Sequence, residues 1–104
     1  MDLETNLKSA IEIAVKNAFD LDDVKDLIMI EIPRDNSFGD YSTNIAMRLA
    51  KTLHQNPKVI AEKVKEELEK VSDNVESITV ANPGFINFKM KIMEEIILVM
   101  ARKF

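Results

Sequence analysis

The segment FINFKM, residues 85–90, has an apolar side chain at every second position, as a strand with one buried face does. The positions between hold an aromatic ring, an amide and a cation, which are Phe85, Asn87 and Lys89. Because successive side chains of a strand point to opposite faces, these three share the face directed away from the core. A ring can stack on a nucleobase, an amide can hydrogen-bond to its edge, and an ammonium can contact a phosphate. The trio therefore indicates a site for an unstacked base, to which Asn82 could add a second amide.

The same residues also have a purely structural interpretation. Phe85 could pack beneath a helix, and Asn82 could do no more than begin the turn formed with Pro83 and Gly84. Spacing alone leaves the two interpretations open. Pro-Gly favours a type II turn, which suits a tight hairpin poorly, so the turn does not by itself predict that the flanking strands pair.

The loop RDNSFGDY, residues 34–41, is the other unusual segment, because Phe38 and Tyr41 flank Gly39 and Arg34 precedes them. One interpretation is a basic loop that presents aromatic rings to a ligand. The interpretation that we favour is structural: both rings pack beneath the loop, and Gly39 allows a positive φ.

Nothing in the sequence supports catalysis by this chain. His54 is the single histidine and there is no cysteine, which excludes disulfides and cysteine metal sites and argues against zinc. Asp35 and Asp40 could form a carboxylate pair for acid–base chemistry, but aspartates in such a loop more often cap turns and helices. Two glycines cannot form the phosphate-binding loops GxxxxGK or GxGxxG. We therefore predict no catalytic residue, no metal and no cofactor for this chain.

Length and charge limit the possible partners. With 104 residues, of which 46% are hydrophobic, the chain is long enough for one domain over 1–104 and too short for two. The net charge of −4 argues mildly against a strong nucleic-acid binder, although residues 33–60 and 78–104 each have 4 basic and 2 acidic residues. The longest apolar run, IILVMA, is far shorter than the ~20 residues of a membrane span. We expect a cytoplasmic, soluble monomer with no membrane partner.

Hydrophobic periodicity and turn residues predict helices over 3–19, over 41–54, from 57 onward and over 91–104, and strands over 27–32, 75–80 and 85–90. The nearly continuous hydrophobicity of 27–32 predicts burial on both faces or against a helix. Asp40 is the predicted N-cap of the second helix, whereas Asn56 and Pro57 cap and begin the third. The predicted fold class is α+β, with a small antiparallel or mixed sheet of three to four strands packed against about four helices.

Three segments in order, IPRDNSFGDYSTNIAMRLAK, NPKVIAEKVKEEL and VANPGFINFKM, resemble the N-terminal domain of arginyl-tRNA synthetases. The resemblance covers essentially the whole chain: a proline, a GDY-S/T-N helix start, an NP helix start and a P-G-F-I-N-F strand. It implies a domain that is appended to a catalytic domain of the same polypeptide. Such a domain binds arginine tRNA at the D-loop, where an adenine is often the base recognised.

The resemblance also implies roles for individual residues. In that family the base is recognised by an asparagine before the Pro-Gly turn, an aromatic residue just after it and an amide two residues further on, which match Asn82, Phe85 and Asn87. Phosphate contacts are then predicted for Lys89 and for cations on neighbouring surfaces, namely Lys91, Arg34, Arg48 and Lys51.

The family signatures of the His-Ile-Gly-His and Lys-Met-Ser-Lys type, which bind ATP and drive aminoacylation, do not occur here, nor does an anticodon-binding domain. The resemblance therefore implies a truncated part of an arginine–tRNA ligase that uses ATP and Mg²⁺ elsewhere, and not an enzyme by itself. The competing hypothesis is a structural or protein-interaction domain that braces the catalytic core. It is suggested by the acidic balance and the methionines of the last predicted helix.

Overall fold

The computed structural model describes residues 3–72 and 74–91. Its helices are α1 (Leu3–Phe19), α2 (Ile45–Leu53) and α3 (Pro57–Val71), and its strands are β1 (Ile30–Glu31), β2 (Tyr41–Thr43), β3 (Val75–Ala81) and β4 (Phe85–Met90). Short 3₁₀ turns, Lys25–Leu27 and Asn36–Phe38, precede β1 and β2. Within the described residues, no helix is both long and apolar enough to span a membrane.

The four strands form one antiparallel sheet in the order β1-β2-β4-β3. This arrangement confirms the α+β class predicted from the sequence, with three α-helices in the part of the chain that the structure describes. The last predicted helix, over 91–104, lies outside the described residues except for Lys91.

Strands β3 and β4 form a hairpin, so the pairing that the turn chemistry left open is present. Ala81 pairs with Phe85 on either side of the turn, and the Asn82–Pro83 peptide bond is cis. Gly84 is buried against the start of α3, where an added Cβ would lie 2.7 Å from the Cβ of Pro57. This close approach fixes where β4 begins relative to the helices.

One face of the sheet packs against the helices and forms the core. Strand β4 contributes Ile86 and Phe88, which are both 0% exposed. Each helix contributes a buried stripe: Leu7, Ile11, Ala14 and Val15 from α1, Ile45, Ala46 and Leu49 from α2, and Ile60, Ala61, Val64 and Leu68 from α3. The stripes follow the 3.6-residue period of an amphipathic helix, which is why the periodicity located α1 and α3 correctly.

The start of α3 agrees with the prediction. The side-chain oxygen of Asn56 accepts the backbone N–H of Lys58 at 2.8 Å, and Pro57 occupies the first helical position. The asparagine pairs one N–H that the helix itself cannot, and the proline has no N–H to leave unpaired.

The strand predicted over 27–32 is wrong in its extent and in its burial. Only Ile30–Glu31 pairs with β2. Ile28 is buried, but Met29 is largely exposed and Ile32 is 71% exposed. Strand β1 is a two-residue edge strand in which Ile30 packs partly buried against the core, whereas Met29 and Ile32 flank the strand and are not covered.

The helix predicted over 41–54 begins later than expected. Tyr41–Thr43 forms β2, and α2 starts at Ile45. Asp40 does not cap that helix, because its Oδ2 accepts the backbone N–H of Met90 at 2.8 Å. Strand β4 has backbone groups that need partners on the side away from β3, and the segment that forms β2 supplies them.

Candidate functional site

A row of polar side chains crosses the open face of the sheet, which is the face opposite the helices. The register pairs Glu31 of β1 with Ser42 of β2, Ser42 with Asn87 of β4, and Asn87 with Thr79 of β3. Directly paired residues of an antiparallel sheet point to the same side, so these four side chains are neighbours across all four strands. Phe85 lies on the same face of β4, two residues before Asn87.

This row borders a pocket of about 340 Å³, the open-face pocket. Its apolar lining residues are Pro33, Phe38, Ala81 and Phe85, and its polar ones are Glu31, Ser42, Asn82 and Asn87. The volume lies at the low end of the ~300–1,000 Å³ that is usual for small-ligand sites. Three residues predicted from the sequence, Asn82, Phe85 and Asn87, therefore meet at one concave site.

Two polar side chains of the open-face pocket are mostly buried as residues but present their polar groups at the pocket surface. Asn87 is 7% exposed and Ser42 is 9% exposed. In the described part of the chain, neither the Asn87 amide nor the Ser42 hydroxyl makes a hydrogen bond. The pocket therefore contains hydrogen-bonding groups that are available to a ligand.

Phe38 forms part of the pocket wall and does not pack beneath its loop. Its ring is 54% exposed and lines the open-face pocket. The structural interpretation favoured from the sequence is therefore wrong for Phe38, although Tyr41 does pack partly buried against the core. Gly39 has a φ of +103°, as that interpretation expected.

Two hydrogen bonds and a close approach of Gly39 place the loop against β4 and explain the position of Phe38. The backbone N–H of Asp40 donates to the carbonyl oxygen of Phe88 at 2.8 Å, and the N–H of Met90 donates to the Asp40 carboxylate at 2.8 Å. An added Cβ on Gly39 would lie 2.7 Å from the same Phe88 oxygen, so the approach requires glycine. Because the loop backbone rests directly on β4, the ring of Phe38 lies beside the loop and contributes to the pocket.

Asp35 stabilises the same loop from its outer side. Its Oδ1 accepts the backbone N–H of Ser37 at 2.9 Å, and this hydrogen bond lowers the pKa of the Asp35 carboxyl. Asp35 thus has the local turn-stabilising role favoured from the sequence, whereas Asp40 accepts the N–H of the distant Met90 and caps neither a turn nor a helix.

Three of the predicted cations are close in sequence to residues of the open-face pocket, but none of them lines it. Lys89 is exposed on the same face of β4 as Asn87, and Arg34 is exposed immediately after Pro33 of the pocket lining. Lys91 is exposed just beyond the end of β4, where its backbone N–H donates to the carbonyl oxygen of Asn74 at 3.0 Å.

Two other predicted cations lie elsewhere. Arg48 and Lys51 are exposed on α2, in the helical layer on the other side of the sheet. The Nη1 of Arg48 donates to the carbonyl oxygen of Leu27 at 3.3 Å, which gives this side chain a structural contact. Across residues 3–72 and 74–91, no three acidic or histidine side chains are grouped in a way that could hold a metal ion.

Sequence reasoning does not identify Glu31, Ser42 and Pro33 as site residues. Local patterns place Ser42 in a helix and Glu31 in a fully buried strand, so neither is expected beside Asn87. Only the pairing of β1, β2 and β4 brings residues from such distant parts of the chain into one row. The only indication in the sequence that this part of the chain contributes to a site is Phe38, an aromatic residue in a polar loop that also lines the pocket.

A family model described as the arginyl tRNA synthetase N terminal domain matches residues 5–90. The chain belongs to this family. It is similar to an arginine–tRNA ligase of Desulforamulus reducens, with 37% identity over 94 residues, and to one of Picosynechococcus sp., with 42% identity over 88 residues. These matches cover 86% and 84% of the chain but only 17% and 15% of the relatives. The chain thus spans about a sixth of the length of the curated relatives that it matches.

Solved structures of this family share the fold. The arginyl-tRNA synthetase of Thermus thermophilus matches with a TM-score of 0.72 and 26% identity, over 96% of this chain and 16% of that one. The synthetase of Plasmodium falciparum matches with a TM-score of 0.72 over 84% of this chain and 16% of that one, and its 18% identity supports the fold alone.

Proposed function

We propose that this domain binds arginine tRNA and that the open-face pocket receives one unstacked base of the D-loop. The observation on which the proposal rests is a pocket that combines two aromatic rings, Phe38 and Phe85, with polar side chains such as Asn87 that have no hydrogen-bond partner among the described residues. A nucleobase matches such a pocket, because its faces are apolar and π-rich whereas its edge consists of hydrogen-bond donors and acceptors.

Each lining group has a task that fits its chemistry. Phe85, half-buried at the start of β4, stacks on the face of the base, which is worth ~1–3 kcal/mol per base in single-strand recognition. Asn82 and Asn87 present their amides to the edge of the base. An amide can donate and accept at once, so it can form two hydrogen bonds with one base.

Phosphate contacts come from the cations on the pocket side of the molecule. Lys89 and Arg34 are exposed and lie nearest in sequence to pocket residues, with Lys91 beyond the end of β4. With a net charge of −4, the domain binds weakly by itself, and its affinity falls as salt displaces these contacts.

In a longer ligase of this family, the domain would hold the outer corner of the tRNA while a separate catalytic domain uses ATP and Mg²⁺ to attach arginine. The domain itself contributes binding and no chemistry, and we place it in the cytoplasm as a monomeric unit. The supporting finding is the membership of a family whose matched relatives are named arginine–tRNA ligases.

The test is a titration of the domain with unmodified arginine tRNA at low salt and at increasing salt. Wild type is compared with Phe85→Ala and with Val59→Ala, a truncation of an exposed apolar side chain on α3. We expect Phe85→Ala to lose ~1–3 kcal/mol of binding free energy, and Val59→Ala to bind as wild type does.

Equal binding by wild type and Phe85→Ala would refute stacking in the open-face pocket. Absence of any salt-dependent binding would favour the competing role, a domain that braces the catalytic core without reading a base.

A further inference from the structure

Glu31 is an unexpected residue in a pocket proposed to face RNA. It lies on edge strand β1, lines the open-face pocket and is exposed. Within residues 3–72 and 74–91 its carboxylate makes no ion pair and no hydrogen bond. An unpaired carboxylate repels phosphate, so it does not serve to hold the RNA backbone.

The neighbours of Glu31 specify what its carboxylate could contact. Glu31 pairs with Ser42, which pairs with Asn87, so Glu31 and Asn87 are two strand spacings apart, about 10 Å between backbones. Both line the same pocket. A base whose edge hydrogen-bonds to Asn87 therefore also extends toward the Glu31 side chain.

The chemistry of a carboxylate then restricts the ligand. An ionised carboxylate only accepts hydrogen bonds, whereas an amide or a hydroxyl can donate or accept. Exocyclic amino groups are donors on base edges, and keto oxygens are acceptors that would face the carboxylate unfavourably. Asn82, Asn87 and Ser42 tolerate either kind of base edge, which leaves Glu31 as the discriminating group.

We propose that Glu31 is a specificity-determining residue of the open-face pocket, which accepts a hydrogen bond from an exocyclic amino group of the bound base and excludes a keto group at that position. This inference rests on the proposed function, since it specifies which bases the same pocket admits. It gives a role to strand β1, which contains none of the residues for which the family resemblance implied a role in recognition.

The experiment measures the affinity of the domain for arginine tRNAs that differ at the protruding D-loop nucleotide. That nucleotide is adenosine, purine riboside (which lacks the amino group), inosine (which has a keto group in its place) or 2′-deoxyadenosine. Wild type should prefer adenosine over inosine about tenfold, the ratio that corresponds to ~1.4 kcal/mol of base discrimination. Purine riboside should lie between them, and 2′-deoxyadenosine should bind as adenosine does.

The Glu31→Gln protein should lose most of the discrimination against inosine, because a glutamine amide can turn its NH₂ group toward a keto oxygen. Glu69→Gln removes the same charge from the exposed side of α3 and should keep the wild-type ratio. A Glu31→Gln protein that discriminates as well as wild type overturns the proposal. The proposal is also overturned if 2′-deoxyadenosine binds more weakly than adenosine while purine riboside binds as adenosine does. That result would mean that Glu31 contacts the ribose and not the base.

Including Phe85→Ala separates this proposal from the proposed function. If Phe85→Ala weakens binding while Glu31→Gln keeps the wild-type ratio, only the role of Glu31 fails. If wild type binds all four tRNAs equally and Phe85→Ala binds as wild type does, base recognition in the pocket fails as a whole.

Discussion

The two faces of strand β4 are built from alternate residues of one six-residue segment, yet their environments are opposite. On the helical face, Ile86 and Phe88 are completely buried among apolar side chains. On the open face, Asn87 is almost as buried, but its amide has no partner in the described residues, and Phe85 borders a pocket.

The helical face of β4 contributes mainly to the stability of the fold, whereas we expect its open face to contribute mainly to ligand recognition. The helical face gains its free energy on folding, because all of its apolar surface leaves water at that moment. The open face keeps polar groups without protein partners at the surface of the pocket, where they are available to a ligand. Substitutions on the two faces should therefore affect different measurements.

The largest effect is expected on the helical face. Phe88→Ala removes a fully buried ring and should lower the free energy of unfolding by ~3–5 kcal/mol, a large part of the stability of a small domain. Urea denaturation followed by circular dichroism measures this change. A midpoint close to that of wild type would contradict the assignment of Phe88 to the core.

Gly39→Ala should affect both faces, because Gly39 lies where the loop rests on β4. Its φ is +103°, and the new Cβ would meet the carbonyl oxygen of Phe88 at 2.7 Å. We expect a loss of about 1–3 kcal/mol in stability, measured by urea denaturation. We also expect weaker tRNA binding, since displacement of the loop moves Phe38. Wild-type stability together with wild-type binding would show that the loop does not need this approach to β4.

Asn87→Val should move stability and binding in opposite directions. Valine has a higher strand propensity than asparagine, so the free energy of unfolding should rise by up to about 1 kcal/mol. Binding of arginine tRNA, measured by titration, should fall because one edge contact is lost. A clear loss of stability would mean that the amide of Asn87 already has a partner within the folded domain.

The smallest effect concerns pH and the loop that positions Phe38. The hydrogen bond from the N–H of Ser37 lowers the pKa of the Asp35 carboxyl in the folded state below its ordinary value, so the charged carboxylate stabilises the fold. This stabilisation is present above the unfolded pKa and is lost as the pH falls through the lower folded pKa. Asp35→Asn keeps an acceptor oxygen but cannot titrate, so it should remove a small part of the acid destabilisation measured below about pH 4. Identical acid unfolding of the two proteins would show that this hydrogen bond does not contribute.

Predictions based on local patterns succeeded where a single segment decides its own structure. The 3.6-residue periodicity of α1 and the Asn56-Pro57 start of α3 depend on neighbouring residues only, and both are confirmed. The alternation in residues 85–90 likewise separates the core side chains from those of the open face, because it depends only on the two-residue period of a strand.

Predictions failed where a segment adapts to a distant partner. Residues 41–43 form a strand because β4 offers an edge to pair with, and Asp40 bonds to Met90, which is 50 residues away in sequence. Residues 27–32 form only a short edge strand, because only Ile30 and Glu31 pair with residues of β2. Neither partner is visible in the local sequence.

The sequence by itself determined α1, the start of α3, the two faces of β4 and the amides and ring that border the candidate site, because side-chain periodicity and capping are local properties. Tertiary structure alone decided that Glu31, Ser42 and Phe38 join them in one pocket. Strand register places residues of three separate segments side by side, and the contact of Gly39 with β4 leaves the Phe38 ring in the pocket wall. Such pairings depend on backbone hydrogen bonds between distant segments, which side-chain patterns do not specify.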